Sequence, residues 1–446
     1  MMRTVDLRDG SLSSTEISAR LPRISSNIDS ALISARALID DIIHRGEAAL
    51  RDQAREFDHV SGHAIAVPPS DCDEALTALD PELRAAILES IRRVRLASMA
   101  GIPPERDVEI APGATVTQRW IPVSRVGLYV PGGKAVYPSS VVMNVVAAQV
   151  AGVASIAIAS PPQSDMEGRV HPTILATAAL LGVTEVYAMG GAGAIGAFAY
   201  GVPDLGLEPV NVITGPGNVF VAAAKRLVRG VVGIDSEAGP TEILIIADDA
   251  ADPLLIAYDL ISQAEHDELA SAVLVTTSDK LAARVENSLR ELVPLTRHRS
   301  RVDSALGGHQ SSIVLVSDLD MAVLVSNIYA PEHLEVHTEN AHALVPQLVN
   351  AGAIFVGQTS PVSLGDYLAG SNHVLPTAGQ AAFSSGLGSY TFLRAQQVID
   401  YSADALREVR SHIRVFADDE NLPAHADAVD ARFTVPVASA LPKTEV

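Results

Sequence analysis

The chain is predicted to be an α/β protein with two successive blocks of parallel sheet. Three observations carry this. Short β-rich runs alternate with helical stretches over most of the length, the pattern of βαβ units. Glycine-rich turns follow several of the runs, as they do at strand ends in open α/β sheets. Apolar residues make up 48% of the 446 residues, ample for sizeable cores. The two blocks meet at a seam near Asp235 to Gly239.

The elements follow in order. From Asn27 to Phe57, the apolar residues Ile28, Leu32, Ala35, Leu38, Ile39 and Ile42 recur at helical spacing. A second helix begins at Asp80, with Pro81 in its first position, and runs to about Met99. The Pro- and Gly-rich segment Gly101 to Gly113 reads as a boundary. The first block has strands at Arg125 to Val130, Ser155 to Ser160 and Glu185 to Met189, with helices from Ser140, His171 and Ala194. The second has strands at Ile243 to Ala247, Ala272 to Thr276, Ser312 to Val316 and Ala353 to Val356. Its helices are Pro253 to Leu269 and Asp279 to Leu292. The start of the tail is not readable, since Gln396 to Asp400 is a short mixed run. Beyond it lie amphipathic pieces at Ala403 to Phe416 and Leu422 to Phe433, the latter with Asn421 and Pro423 as start signals.

Composition excludes several classes. A formal net charge of −21 argues against nucleic acid or an anionic membrane as partner. One cysteine, Cys72, rules out a disulfide framework and a cysteine-rich metal site. The N-terminus has no apolar signal region. The longest apolar stretch, Val141 to Ala159, is broken by Asn144, Gln149, Gly152 and Ser155. It reads as a buried helix and a strand, not a membrane span. A soluble cytoplasmic enzyme is the expected class.

The chemistry is placed at Ala330-Pro331-Glu332-His333-Leu334-Glu335. Glu332 beside His333 can bring two proton-transfer groups to one pocket. Such pairs also occur by chance in surface loops, so the company they keep decides. Gln263 and His266 are three apart and share a helix face. Two N/O donors on one face can hold zinc, or can be a polar face only. Asp366 and His373 add a carboxylate and an imidazole in a Gly/Ser-rich loop, and His425 stands alone in the acidic tail. The turns Pro131-Gly132-Gly133, Gly190 to Gly193 and Gly215-Pro216-Gly217-Asn218 permit close backbone approach to a ligand, or are simply tight. Gly191-x-Gly193-x-x-Gly196 matches the dinucleotide fingerprint. It is set aside, because its strand is not the first of its block. Moreover, Asp204 and Glu208, the only acids near the required distance, lie in a loop.

Taken together the chain resembles histidinol dehydrogenase over nearly its whole length. The resemblance rests on seven ordered blocks: Gly127 to Gly133, Gly215 to Asn218, Ala238 to Glu242, Ser262 to His266, Ala330 to Glu335, Gly365 to Tyr367 with Ser371 to Thr377, and Glu420-x-Leu422-x-x-His425. It implies oxidation of L-histidinol through L-histidinal to L-histidine with two NAD reduced. It implies zinc (Zn2+) held by Gln263, His266, Asp366 and His425. His333 would take the alcohol proton and Glu332 would activate water. Ser139, Thr241, Gln263, His266, His333, Asp366, His373, Glu420 and His425 match substrate-binding positions, and Tyr129, Gly193 and Asn218 match NAD-binding ones. The implied fold is two incomplete Rossmann-like domains with small N- and C-terminal domains that interlock a homodimer.

In those terms 1–26 is an N-terminal arm, 27–113 with 238–385 the metal and catalytic domain, 114–237 the NAD side, and 386–446 a dimer-crossing tail. Two departures stand out. Gly193 occupies a position where the family usually has a Gln touching NAD, so Gly193→Gln is expected to tighten NAD binding. Thr241 stands where many members have Ser, which keeps the hydroxyl. A paralogue oxidising another small alcohol, and a non-catalytic binder that lost its cofactor, remain as rival readings. The intact Glu332 and His333 speak against the second of these.

Overall fold

The computed structural model describes residues 2–9, 12–23, 28–132, 136–237 and 239–434; Asn27, Gly133 and Ala238 lie outside them. The chain forms two compact units, residues 1–102 with 122–392, and residues 103–121 with 393–446.

The first unit holds two fully parallel sheets. The smaller has strand order Val186–Ala188, Ser155–Ser160, Arg125–Tyr129, Val212–Thr214, Gly233–Ile234. Its sequence reverses direction between Arg125–Tyr129 and Val212–Thr214, the crossing point at which such sheets bind ligands. The strand before the fingerprint glycines, Val186–Ala188, lies instead at the sheet's edge. The strands are mostly apolar because helices cover both faces, as parallel sheets require. The helices Ile28–Arg45 and Glu47–Gln53 are among them. Ala31, Ile39 and Leu50 share one core with Tyr129, Ala157 and Ile213. The grouping of 27–113 with 238–385 therefore fails for these helices. Their amphipathic pattern named a buried face without naming what buries it.

The larger sheet has order Arg3–Asp6, Ser312–Leu315, Ser271–Thr276, Glu242–Ala247, His333–His337, Ala353–Val356. The segment expected as a separate arm supplies its edge strand, in register with Ser312–Leu315. Separate apolar cores fill its two faces.

A buried ion pair clamps one cleft-lining turn. Lys225, on the helix Val219–Val228, is paired with Asp235, and its Nζ donates to the Gly215 carbonyl at 2.9 Å. Asp235 Oδ2 accepts from the Gly215 N–H at 2.8 Å. Gly215 has φ 118°, and a Cβ there would sit 1.9 Å from the Tyr129 carbonyl oxygen, so only glycine fits. Lys225→Met strands Asp235 as a buried unpaired carboxylate. A loss of about 3–5 kcal/mol is expected in denaturant unfolding. A loss under 1 kcal/mol would mean that the pair does not hold the turn.

The second unit is a three-stranded sheet of order Leu393–Tyr401, Ala114–Pro122, Arg106–Ala111, with the helices Ala403–Asp419 and Pro423–Thr434. The last two strands are antiparallel with a bulge between Glu109 and Ala111. The segment read as a boundary thus opens a hairpin, and the unreadable run is a strand. Arg106–Ala111 and Leu393–Tyr401 are exposed along nearly their whole length, so neither shows the alternation of a half-buried strand.

Candidate active site

A cleft of about 2000 Å³ in the first unit runs between the two sheets. The smaller sheet faces it with the carboxyl ends of its strands, through Pro131, Gly190 and Gly217. The larger faces it with the amino ends, through Thr241, Glu332 and His333.

Ala330 closes the helix Leu319–Tyr329 in the left-handed region, at φ 47°, an uncommon conformation for a residue with a Cβ. The turn that follows delivers Glu332 beside the start of the strand Glu242–Ala247. Glu332 Oε2 accepts from Thr241 Oγ1 at 2.5 Å and from the Glu242 N–H at 2.9 Å. Gln263 Nε2 in turn donates to Thr241 Oγ1 at 2.6 Å. The hydroxyl gives its one proton to Glu332 and so must accept from Gln263. This fixes the Gln263 amide. Its nitrogen faces Thr241, and its Oε1 is buried without a partner among the described residues.

Burial pushes the Glu332 carboxyl up to about 8, over the opposing pull of Thr241 and the Glu242 N–H. Burial also lowers the pKa of His333, which favours its neutral form. His333 Nδ1 is 3.6 Å from Glu332 Oε2 and has no hydrogen-bond partner among the described residues.

His266 Nε2 lies 3.9 Å from Asp366 Oδ2. The helix Pro253–Ala264 ends before His266, so the expected shared helix face holds Gln263 alone. The helix stops at Ala264, and the chain turns through Glu265 to bring His266 to the cleft. His373 Nδ1 meets the Asp366 carbonyl oxygen at 2.9 Å, and a carbonyl only accepts. His373 Nε2 is then the unprotonated nitrogen, and it accepts from Ser140 Oγ at 3.1 Å. Ser139 lines the cleft, but the serine that meets His373 is Ser140, which the sequence reading did not single out.

On the cofactor side, Tyr129 Oη accepts from the Gly191 N–H at 3.2 Å. Asn218 caps the helix Val219–Val228, and its Oδ1 accepts from the N–H groups of Phe220 and Val221 at 3.0 and 3.2 Å. Both residues line the cleft. Gly193 is buried inside the helix Gly191–Tyr200, and a Cβ there would lie 2.3 Å from Gln53 Oε1. The expected gain from Gly193→Gln therefore meets an obstacle, because Gln53 already fills that space. Glu420 and His425 belong to the second unit, Glu420 closing the helix Ala403–Asp419 and His425 lying on Pro423–Thr434.

Comparison with known proteins identifies the family. The histidinol dehydrogenase family model matches residues 21–433. A histidinol dehydrogenase of Leifsonia xyli is 59% identical over 97% of this chain and 99% of its own length. One from Mycobacterium tuberculosis is 53% identical over 97% of this chain and 98% of its own. The chain belongs to the histidinol dehydrogenase family. The crystal structure of histidinol dehydrogenase from Elizabethkingia anophelis superposes with a TM-score of 0.89 at 30% identity, covering 97% of this chain and 98% of that one. Membership makes the chain an NAD-dependent oxidoreductase with a Rossmann-like α/β fold. Among the described residues, no helix is long and apolar enough to cross a membrane.

One further group in this family member escaped the sequence reading. Asp259, Glu335 and His337 bring three donor atoms within 4.8 Å of one another, a metal-type arrangement separate from Gln263, His266 and Asp366. Burial and the nearby Glu335 push the Asp259 carboxyl up to about 8. Glu335 Oε1 also accepts from the Val362 N–H at 2.8 Å. It thereby anchors the start of the helix Val362–Tyr367, which carries Asp366. Glu335 and His337 alternate along a strand and Asp259 lies on a distant helix, so no spacing rule links them.

Proposed function

We propose that the chain oxidises L-histidinol through L-histidinal to L-histidine with two NAD, that zinc orients the substrate, and that the active form is a cytoplasmic homodimer. The observation that carries the zinc reading is the Gln263 amide. Thr241 holds the amide nitrogen, which leaves the amide oxygen a buried ligand atom with no partner among the described residues, in the helical turn just before His266. With His266 Nε2 and Asp366 Oδ2, it makes an N/O set suited to zinc. These three and His425 of the partner subunit would hold zinc, which would supply a fixed charge to anchor the imidazole and amine of the substrate. Tyr129 and Asn218 would hold NAD, which would supply the hydride acceptor.

The residues of the chain divide the remaining work. In the first oxidation the neutral His333 imidazole accepts the alcohol proton as the carbinol carbon gives up hydride. Glu332, once ionised, takes a proton from water at Oε1, its other carboxylate oxygen, as the water oxygen adds to the aldehyde carbon, while Thr241 and the Glu242 N–H hold Oε2. The resulting hydrate loses its second hydride and a proton, and the carboxylic acid is formed. Ser139, His373 and Glu420 complete the substrate's surroundings. Mixing the purified protein with zinc, NAD and histidinol tests the reading through the appearance of NADH. Silence with histidinol, and turnover of another small alcohol, would favour the paralogue.

The dimer reading has its own physical support. Among the described residues of the second unit the buried apolar ones are alanines, Ala114, Ala405, Ala417 and Ala426, while Ile399, Val415 and Phe416 are 68%, 69% and 71% exposed. A unit with so little core gains burial by docking on a partner.

Glu332→Gln is expected to damage the aldehyde step more than the first hydride transfer, because only the aldehyde step needs an activated water. Oxidation of supplied histidinal should climb with pH through about 8 in the parent enzyme, since the working form is the carboxylate. The variant should lose that limb. Equal loss in both steps would contradict the division of labour. The stability effect has the opposite sign. A carboxyl raised in the folded state binds its proton more tightly there, so stability falls as pH rises from the unfolded value toward 8. Glu332→Gln should therefore melt higher than the parent above that pH.

A further inference from the structure

Glycine weakens a helix interior relative to alanine, so Gly193 inside Gly191–Tyr200 calls for a reason. The reason is Gln53. Its Oε1 and Cδ lie 2.3 and 3.2 Å from where a Cβ of residue 193 would be. Gln53 ends the helix Glu47–Gln53 and is buried, yet it lines the cleft. Its Nε2 donates to the Leu38 carbonyl at 3.2 Å. That carbonyl only accepts, so the amide cannot be turned round, and Oε1 must face the first turn of Gly191–Tyr200. Nearby, on the same turn, the Gly191 N–H meets Tyr129 Oη. Immediately after Gln53 the chain makes a π-helical turn, Ala54–Asp58, whose Phe57 and Asp58 also line the cleft. Such turns are rare and recur at functional sites.

We propose that Gln53 is a cofactor-contacting residue, its carboxamide oxygen accepting a hydrogen bond from a donor group of the bound dinucleotide. The donor is a ribose hydroxyl, the adenine amine or the nicotinamide carboxamide. A phosphate offers only acceptor oxygens at neutral pH and does not match an acceptor fixed in this orientation. The inference rests on the reading of this cleft as the NAD site, and it names a contact that comes from a helix outside the sheet. It also reverses the expectation for Gly193→Gln, since the new side chain enters space that Gln53 holds.

The test is steady-state kinetics on the zinc-loaded enzyme. Gln53→Met keeps the length and packing of the side chain and removes the carboxamide. Its KM for NAD should rise about 2- to 10-fold, the range for one neutral hydrogen bond. kcat at saturating NAD and zinc content should stay within about twofold, the mark of lost cofactor binding rather than general damage. Gly193→Gln alone should also raise this KM, and Gln53→Ala with Gly193→Gln should recover part of it by supplying a carboxamide from the opposite wall. Nicotinamide hypoxanthine dinucleotide, which lacks the adenine amine, separates that donor from the other two. If the amine is the donor, the parent enzyme binds this analogue as weakly as Gln53→Met does. If a ribose hydroxyl or the nicotinamide carboxamide is the donor, the variant keeps its full disadvantage with the analogue. An unchanged KM for NAD in Gln53→Met would overturn the proposal. Absence of NADH formation by the parent enzyme would instead overturn the reading of the cleft.

Discussion

His333→Ala is expected to lose NADH formation from histidinol by ~10²–10⁴-fold, the usual worth of a positioned general base, while keeping its zinc. The imidazole is buried at the amino end of a strand, 3.6 Å from Glu332 and with a ring centroid 6.0 Å from that of Phe355. Its lowered pKa keeps it neutral and ready to accept a proton. Glu332 cannot stand in for it. That carboxylate is already committed to Thr241 and the Glu242 N–H, and burial holds it largely protonated at neutral pH. His333 is not among the proposed ligands, so metal analysis should find normal zinc. Near-normal turnover would sink the assignment. Lost zinc would move His333 into the metal site.

Mixing His333→Ala with His425→Ala subunits should restore activity that neither variant has alone. His425 lies on Pro423–Thr434 in a unit whose buried apolar side chains, among the described residues, are alanines. If that unit completes the site of the partner, each single variant is inactive, for lack of a base or of a zinc ligand. In a mixed dimer one of the two sites has both an intact His333 and an intact His425 of the partner subunit. Up to about half of the sites formed in such dimers should work, by this counting. If the unit serves its own subunit, every site keeps a lesion and no activity returns. Failure of rescue, with mixed dimers shown to have formed, removes the reason for an obligate dimer.

Much of the local structure was legible in the residues. Asp80 and Pro81 announced a helix, and the structure has Pro81–Ala100 with Asp80 Oδ1 accepting from Glu82 and Leu83. The broken apolar stretch became the helix Pro138–Ala151 and the strand Ser155–Ser160, as its polar interruptions implied. Seven of the eleven strands described in the two parallel sheets were readable, because burial on two faces makes a strand a largely apolar run. Arg3–Asp6, Val212–Thr214, Gly233–Ile234 and His333–His337, which are short or carry polar residues, were not. The exposed strands of the second unit carry no such run.

The sequence by itself determined the α/β class, the order of most elements, and the residue types at the centre of the site. Each depends on caps, on short periodic patterns or on compact motifs, all of which act over a few neighbouring residues. Only the tertiary structure decided that Ile28–Arg45 and Glu47–Gln53 pack on the smaller sheet, and that the larger sheet offers its amino ends to the cleft. It alone showed Thr241 setting the Gln263 amide, Glu335 anchoring the helix of Asp366, and Gln53 filling the space beside Gly193. Each of these contacts joins residues far apart in the chain. Hydrophobic patterning says that a face is buried but leaves its partner open, and a hydrogen bond between distant side chains leaves no periodic trace in the residues between them.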